Sequence, residues 1–310
     1  MADVAILIVN GFDRRNLWGT HEAEQAVAYP WIDVCLSQIE RHSDPDEYDV
    51  YVYDNSRLGS HRRIMGAHGA RVYPGRTAYA LSRLADFVDE KYANARVELR
   101  NPAALDYLVD KLSDKYEYFI TMDSDAFPVR DGWLGFLTGL LNGGASIAGV
   151  YRDEMSEAIT PFVHISGLCM RLAEFKDARF SFRRQARDAG QSISLSLYER
   201  GKVVAALPRS NKVDEHFLMG GVYGNVIYHH GAGSRHAKFW TSREEDPEEE
   251  VRRSLRDEVF ADLDTVVGRL VGAPYHDLPP AQARLLGTDG SPYPVPARLL
   301  SSRGSNVLGT

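Results

Sequence analysis

The chain has 310 residues, 44% apolar and 25% charged, a profile that excludes a disordered protein and allows one large domain or two small ones. A formal net charge of −7 excludes non-specific binding to nucleic-acid backbones, though not a local basic pocket for a phosphorylated small molecule. No apolar run approaches the ~18 residues of a membrane span, and the N-terminus lacks the basic segment of a signal peptide, so a cytoplasmic protein is expected.

Along the chain, "VAILIVN" (4–10) is a continuous β-branched run that suits a strand buried on both faces. In "YPWIDVCLSQIERHS" (29–43), Pro30 suits a first helical turn, and Trp31, Val34, Cys35, Leu36 and Ile39 form one apolar stripe. Cys35 and Cys169 lie in apolar patterns and read as small buried hydrophobes rather than a disulfide or metal pair. "YDVYVYDNS" (48–56) is β-rich and stops at the turn formers Asp54, Asn55 and Ser56, and a short third strand follows at 70–75.

Residues 76–100 carry mixed helix signals. At 101–116, Asn101 is placed as an N-cap and Pro102 in the first turn of a helix. The helix feeds a strand over 118–122. This alternation points to a doubly wound α/β sheet with right-handed crossovers.

Beyond residue 130 the pattern predicts a helix (131–141), strands (146–151 and 162–171), a helix (about 189–200), then strands (202–207 and 224–230). "SREEDPEEEVRRSLRDEVFADLDTVVGRLV" opens with a capping box, Ser242 to Glu245. Its stripe of Val251, Leu255, Val259, Leu263, Val267 and Leu270 predicts one long C-terminal helix. That helix packs on the domain or on a second subunit, so a homodimer through residues 251–270 is a possible assembly. The tail from about 273 is rich in Pro, Gly and Ser and is expected to be partly disordered.

An open parallel sheet binds its ligand outside the carboxyl ends of its strands. The polar residues fall there: Asn10 after strand one, Asp54, Asn55 and Ser56 after strand two, Asp123 and Asp125 after strand four. Alternation sends residues 123 and 125 to one side, where two carboxylates repel each other. A hard divalent cation with oxygen ligands, Mg²⁺ or Mn²⁺, neutralises such a pair and bridges to a substrate diphosphate.

"YFITMDSDAFPV" resembles the DxD motif of nucleotide-sugar-dependent glycosyltransferases of the GT-A fold (family-2-like). "VYVYDNS" resembles the second-strand motif whose Asp contacts the nucleotide base. The resemblance covers roughly residues 4–240. It implies a Rossmann-like, mainly parallel central sheet flanked by helices, with a nucleotide-sugar half over about 1–130, an acceptor half over about 131–240, and a C-terminal extension over 241–310.

It further implies a nucleotide-diphosphate sugar as donor, with Asn10, Asp54, Asn55, Ser56 and Asp123 around it, and a hydroxyl-bearing acceptor. A third metal ligand is implied at His230, in the His-x-x-Gly spacing of "HGAG", with His229 as runner-up; an imidazole favours Mn²⁺ over Mg²⁺. Arg235 and Lys238 follow and suit a diphosphate. For an inverting reaction the resemblance implies a carboxylate base opening the helix near 189, at Asp188, with Asp214 and Glu215 as runners-up. His164 and Ser166 alternate onto one side of an acceptor-proximal strand and suit sugar contacts. A nucleotidyltransferase that forms sugar nucleotides, and a non-catalytic nucleotide-sugar-binding protein, remain as alternatives.

Overall fold

The computed structural model describes residues 2–11, 27–56, 58–75, 93–154, 160–183, 190–213, 220–231, 247–288 and 291–293. The first part of the chain is built from β1 (Val4–Asn10), α1 (Trp31–Arg41), β2 (Tyr48–Asp54), α2 (Gly59–Ala67), β3 (Arg71–Pro74), α3 (Ala93–Lys111) and β4 (Tyr118–Asp123). The second part follows with β5 (Ala126–Pro128), α4 (Trp133–Asn142), β6 (Ile147–Arg152), β7 (Phe162–Arg171), α5 (Leu172–Asp177), α6 (Gln191–Glu199), β8 (Val204–Leu207), β9 (Gly221–Tyr223) and β10 (Ile227–His229). Two helices, α7 (Pro247–Ala261) and α8 (Leu263–Val271), and the strand β11 (Arg284–Leu286) complete it.

Eight strands form the central sheet in the order β11-β8-β6-β7-β4-β1-β2-β3. β1 is parallel to β2 and β4, β2 to β3, and β6 to β8, whereas β7 is antiparallel to both its neighbours and β11 to β8. The sheet is therefore mixed and mostly parallel. All seven residues of β1 are buried, as a strand covered on both faces requires. Alternation divides the core: Leu7, Tyr53, Tyr151 and Ile165 pack under α3 and α6, and Ile6, Ile8, Val52 and Val150 pack under α1 and α4.

Two local expectations are corrected, and two features were not anticipated. α2 had no counterpart in the sequence reading, because its buried residues are only His61 and Met65, too few for an apolar stripe. α3 begins at Ala93, so Asn101 is not its cap and Pro102 lies inside it. The C-terminal stripe is carried by two helices, because Asp262 caps α8 by accepting the Thr265 backbone N–H at 3.1 Å. The segment beyond 273 forms a 3-10 turn at Tyr275–Asp277 and then β11, which pairs with β8.

A second, three-stranded sheet, β5-β10-β9, lies beside the first. Phe127, Val222 and Tyr228 on one of its faces meet Leu255, Val259, Val266, Val267 and Leu270 of α7 and α8. Among the described residues, Leu255, Val259, Val267 and Leu270 of the apolar stripe are thus covered within one chain. Arg41 clasps Asp264 through two hydrogen bonds of 2.8 and 2.9 Å, tying α8 to α1. Leu270→Ala should destabilise the protein by about 2–5 kcal/mol, the usual effect of emptying a packed leucine site, read as a lower urea midpoint with an unchanged slope. The Ser242–Glu245 capping box lies outside the described residues. Among the described residues no helix is long and apolar enough to cross a membrane.

Candidate active site

Register brings the predicted strand ends level. Asn10 pairs with Asp54, and Val9 pairs with Asp123, so the three polar strand ends form one carboxyl edge. Asp54 is 1% exposed. Its Oδ1 accepts the Ser56 hydroxyl at 2.6 Å, the Ser56 backbone N–H at 2.9 Å and the Asn10 amide at 3.1 Å. Its Oδ2 is buried and has no hydrogen-bond partner. The chain supports this turn by close approach: a Cβ on Gly75 would lie 2.3 Å from Asn55 Oδ1 and 2.8 Å from the Asp54 carbonyl oxygen. His61, which the sequence reading did not single out, places Nδ1 3.1 Å from the Asn10 amide.

The carboxylates at the end of β4 face an imidazole. His229 Nε2 lies 3.6 Å from Asp123 and 3.8 Å from Asp125. Ligand atoms of Asp123, His164 and His229 all lie within 4.8 Å of one another. Burial first, then its neighbours His164, Arg152, His230 and Arg209, hold the His229 imidazole well below its ordinary range. It is therefore neutral near pH 7, the form that ligates a metal. The rings of His164 and His229 stack at 5.4 Å. His164 Nδ1 accepts the Ser166 backbone N–H at 3.1 Å, which leaves the proton of the neutral ring on Nε2. Asp123, Asp125 and His229 thus bring two carboxylates and an imidazole together, and a divalent cation fits that mixed carboxylate–imidazole set. Cys35 lies beneath the pair; burial, then the charges of Asp125 and Asp123, push its thiol up, so it stays protonated.

The sequence placed the third ligand first at His230 and second at His229; the structure brings His229 to the carboxylates and turns His230 away. Period-two alternation is the reason, since adjacent strand residues take opposite faces. His230 Nδ1 lies 3.0 Å from the Tyr228 hydroxyl, and its ring packs 4.4 Å from that of Trp31. His164 and Ser166 do share a side, with Nδ1 and Oγ 2.8 Å apart, but His164 joins the carboxylate cluster. Asp188, Asp214, Glu215, Arg235 and Lys238 lie outside the described residues.

A charged group beyond the cluster was not anticipated. Arg152, at the end of β6, is ion-paired with Glu154, and Tyr223 donates its hydroxyl to Glu154 Oε1 at 2.8 Å. Arg209 Nη1 lies 3.4 Å from that hydroxyl. A Cβ on Gly221, the residue paired with His229, would lie 2.6 Å from the Arg209 guanidinium. The missing side chain is what lets the Arg209 head sit there. No short sequence pattern marks this group, because its members come from three separate segments.

No protein-family model matches the sequence, and a comparison with curated proteins finds no match. Among solved structures the chain is similar to a mannosyltransferase from Pyrobaculum calidifontis in complex with GDP-Man and Mn²⁺, at TM-score 0.44 and 12% identity, over 66% of this chain and 55% of that one. It thus spans about half the length of that enzyme. It is similar to S. aureus TarS 1–349 in complex with UDP-GlcNAc, at TM-score 0.43 and 13% identity over 87% of this chain and 72% of that one. It is also similar to glucosyl-3-phosphoglycerate synthase from Mycobacterium tuberculosis in complex with Mn²⁺, UDP and glucosyl-3-phosphoglycerate, at TM-score 0.35 and 13% identity over 56% and 57% of the two chains.

Proposed function

We propose that this protein is a metal-dependent glycosyltransferase that moves a sugar from a nucleotide-diphosphate sugar to an acceptor hydroxyl, with inversion at the anomeric carbon. The observation that carries the reading is the cluster of Asp123, Asp125 and His229 at the carboxyl edge of the sheet, next to Asp54. Asp123, Asp125 and His229 would hold Mn²⁺, which when bound supplies the Lewis-acid charge that neutralises a departing diphosphate. Asp54 binds the nucleobase. Its Oδ1 is fixed by Asn10 and Ser56, and the unpartnered Oδ2 accepts a base N–H. His164, its Nδ1 occupied by Ser166, uses Nε2–H to orient the carboxylate side of the cluster. A carboxylate of the acceptor half takes the acceptor proton; Asp188, Asp214 and Glu215 are the candidates the sequence offers.

The test is a thermal-shift screen of UDP-, GDP- and dTDP-sugars with and without Mn²⁺. A ligand at 100 times its Kd should stabilise the protein by ~2.7 kcal/mol. Binding that survives EDTA unchanged would refute the metal reading, and metal-dependent binding without turnover would identify a binding module. Asp54→Ala should weaken free nucleotide and nucleotide sugar alike, by about 10- to 100-fold, the scale of a lost hydrogen bond to a charged group. Equal affinities of mutant and wild type in calorimetry would assign Asp54 to the turn alone.

A further inference from the structure

The Arg152–Glu154–Tyr223–Arg209 group is built in a way that a structural ion pair does not need. Glu154 is nearly buried, with a side-chain exposure of 11%, against 8% for Arg152. One of its oxygens is engaged twice: Tyr223 donates its hydroxyl to Oε1, and the Arg152 guanidinium is ion-paired with that same oxygen. The other oxygen, Oε2, is buried and has no hydrogen-bond partner. A carboxylate recruited only for stability engages arginine through both oxygens in a fork, and leaves neither bare in the interior. Tyr223 remains a donor: burial first, with Glu154 also raising it, pushes its phenol up to about 12.

The position matters as much as the satisfaction. Arg152 closes β6 at the carboxyl edge of the sheet, opposite Phe162, and the ring of Phe162 packs 5.9 Å from that of His164. Both Arg152 and Arg209 act on His229 through their charge. β6, which ends at Arg152 just before Glu154, lies on the opposite side of β4 from β1 and β2, so Glu154 follows a strand end on the side of the sheet away from Asn10 and Asp54.

We propose that Glu154 is the proton acceptor of the transfer: Oε2 receives the hydrogen of the acceptor hydroxyl. This rests on the glycosyltransferase reading and replaces Asp188 as the base. As the acceptor O–H bond breaks, its proton passes to Glu154 Oε2. The oxygen pair forms the new bond to the anomeric carbon, and the old bond's electron pair leaves on the diphosphate. Arg152 and Tyr223 hold Oε1 and so aim Oε2. The partner class that follows is a neutral hydroxyl acceptor presented between Glu154 and the cluster.

The experiment uses the full chain with Mn²⁺ and whichever of UDP-glucose or GDP-mannose binds, with water and molar glycerol as acceptor probes. Glu154→Gln should cut nucleotide release by about 10²- to 10⁴-fold, the contribution of a general base, while donor Kd stays unchanged. Tyr223→Phe, which keeps the ring and removes the donor that aims the carboxylate, should fall between Glu154→Gln and wild type with the same donor affinity. A wild-type rate in Glu154→Gln would overturn the assignment. So would a parallel loss of rate, donor affinity and melting temperature in both variants, the signature of a structural pair. A large loss in Asp188→Asn with none in Glu154→Gln would return the base to Asp188. Nucleotide release absent from the wild type despite Mn²⁺-dependent binding would also overturn it. Wild type that binds no nucleotide sugar with Mn²⁺ is a different failure, that of the donor reading itself.

Discussion

Asp123→Ala and Asp125→Ala each abolish Mn²⁺-dependent nucleotide-sugar binding and leave the fold standing. The two carboxylates lie close enough to one imidazole, 3.6 and 3.8 Å, to act on a single cation. Losing even an outer partner of a metal site typically costs 10–100-fold in metal affinity, so losing a direct ligand should exceed about 100-fold. Without metal the same substitutions remove one member of a like-charged pair, and the metal-free melting temperature should hold or rise. The strand itself depends little on these side chains. β4 is fixed by its register to β1 and β7 and by fully buried residues such as Phe119 and Ile120. Mn²⁺ titration and thermal melts of the two variants check this. Retained metal-dependent binding in either variant would remove that carboxylate from the site.

The histidine doublet gives the second large effect. His229→Ala, which removes a direct ligand, should weaken Mn²⁺ by more than about 100-fold and change stability little in the absence of metal. His230→Ala should do the reverse. Its ring fills the space against Trp31 and meets the Tyr228 hydroxyl, so truncation leaves a void between β10 and α1 and removes a hydrogen bond. The expected result is a lower melting temperature with Mn²⁺ affinity near wild type. Crossed signatures, with His230→Ala losing the metal, would restore the ligand assignment made from His-x-x-Gly spacing.

What the sequence revealed tracks how local each signal is. Asp54 and Asp123 were legible because each ends an apolar run, and the strand period alone fixes where such a residue emerges. The stripe of α1 was legible because Trp31, Cys35, Leu36 and Ile39 are all buried at helical spacing; Ile32, also buried, was missed. The choice between His229 and His230 was not, since it depends on which face of a three-residue strand meets β4, and that is set by β5 and β9. α2 escaped because its buried positions are one His and one Met. Glu154 escaped because nothing near it in sequence marks it. Its partner Tyr223 is contributed from a strand roughly 70 residues later, a spacing no short pattern can encode.

The order in which strands join the central sheet has a consequence for synthesis. β8 forms early relative to the strand that covers its outer side, since β11 lies roughly 80 residues further along. On a ribosome adding about 5–20 residues per second, that interval is on the order of ten seconds. Through it, the Val204–Leu207 backbone offers unpaired amides and carbonyls, flanked by four fully buried apolar side chains, as a template for any extended chain nearby. Nascent chains halted before Leu286 should therefore be the ones that depend on holdase chaperones, and the arrival of three residues, Arg284 to Leu286, should end that dependence.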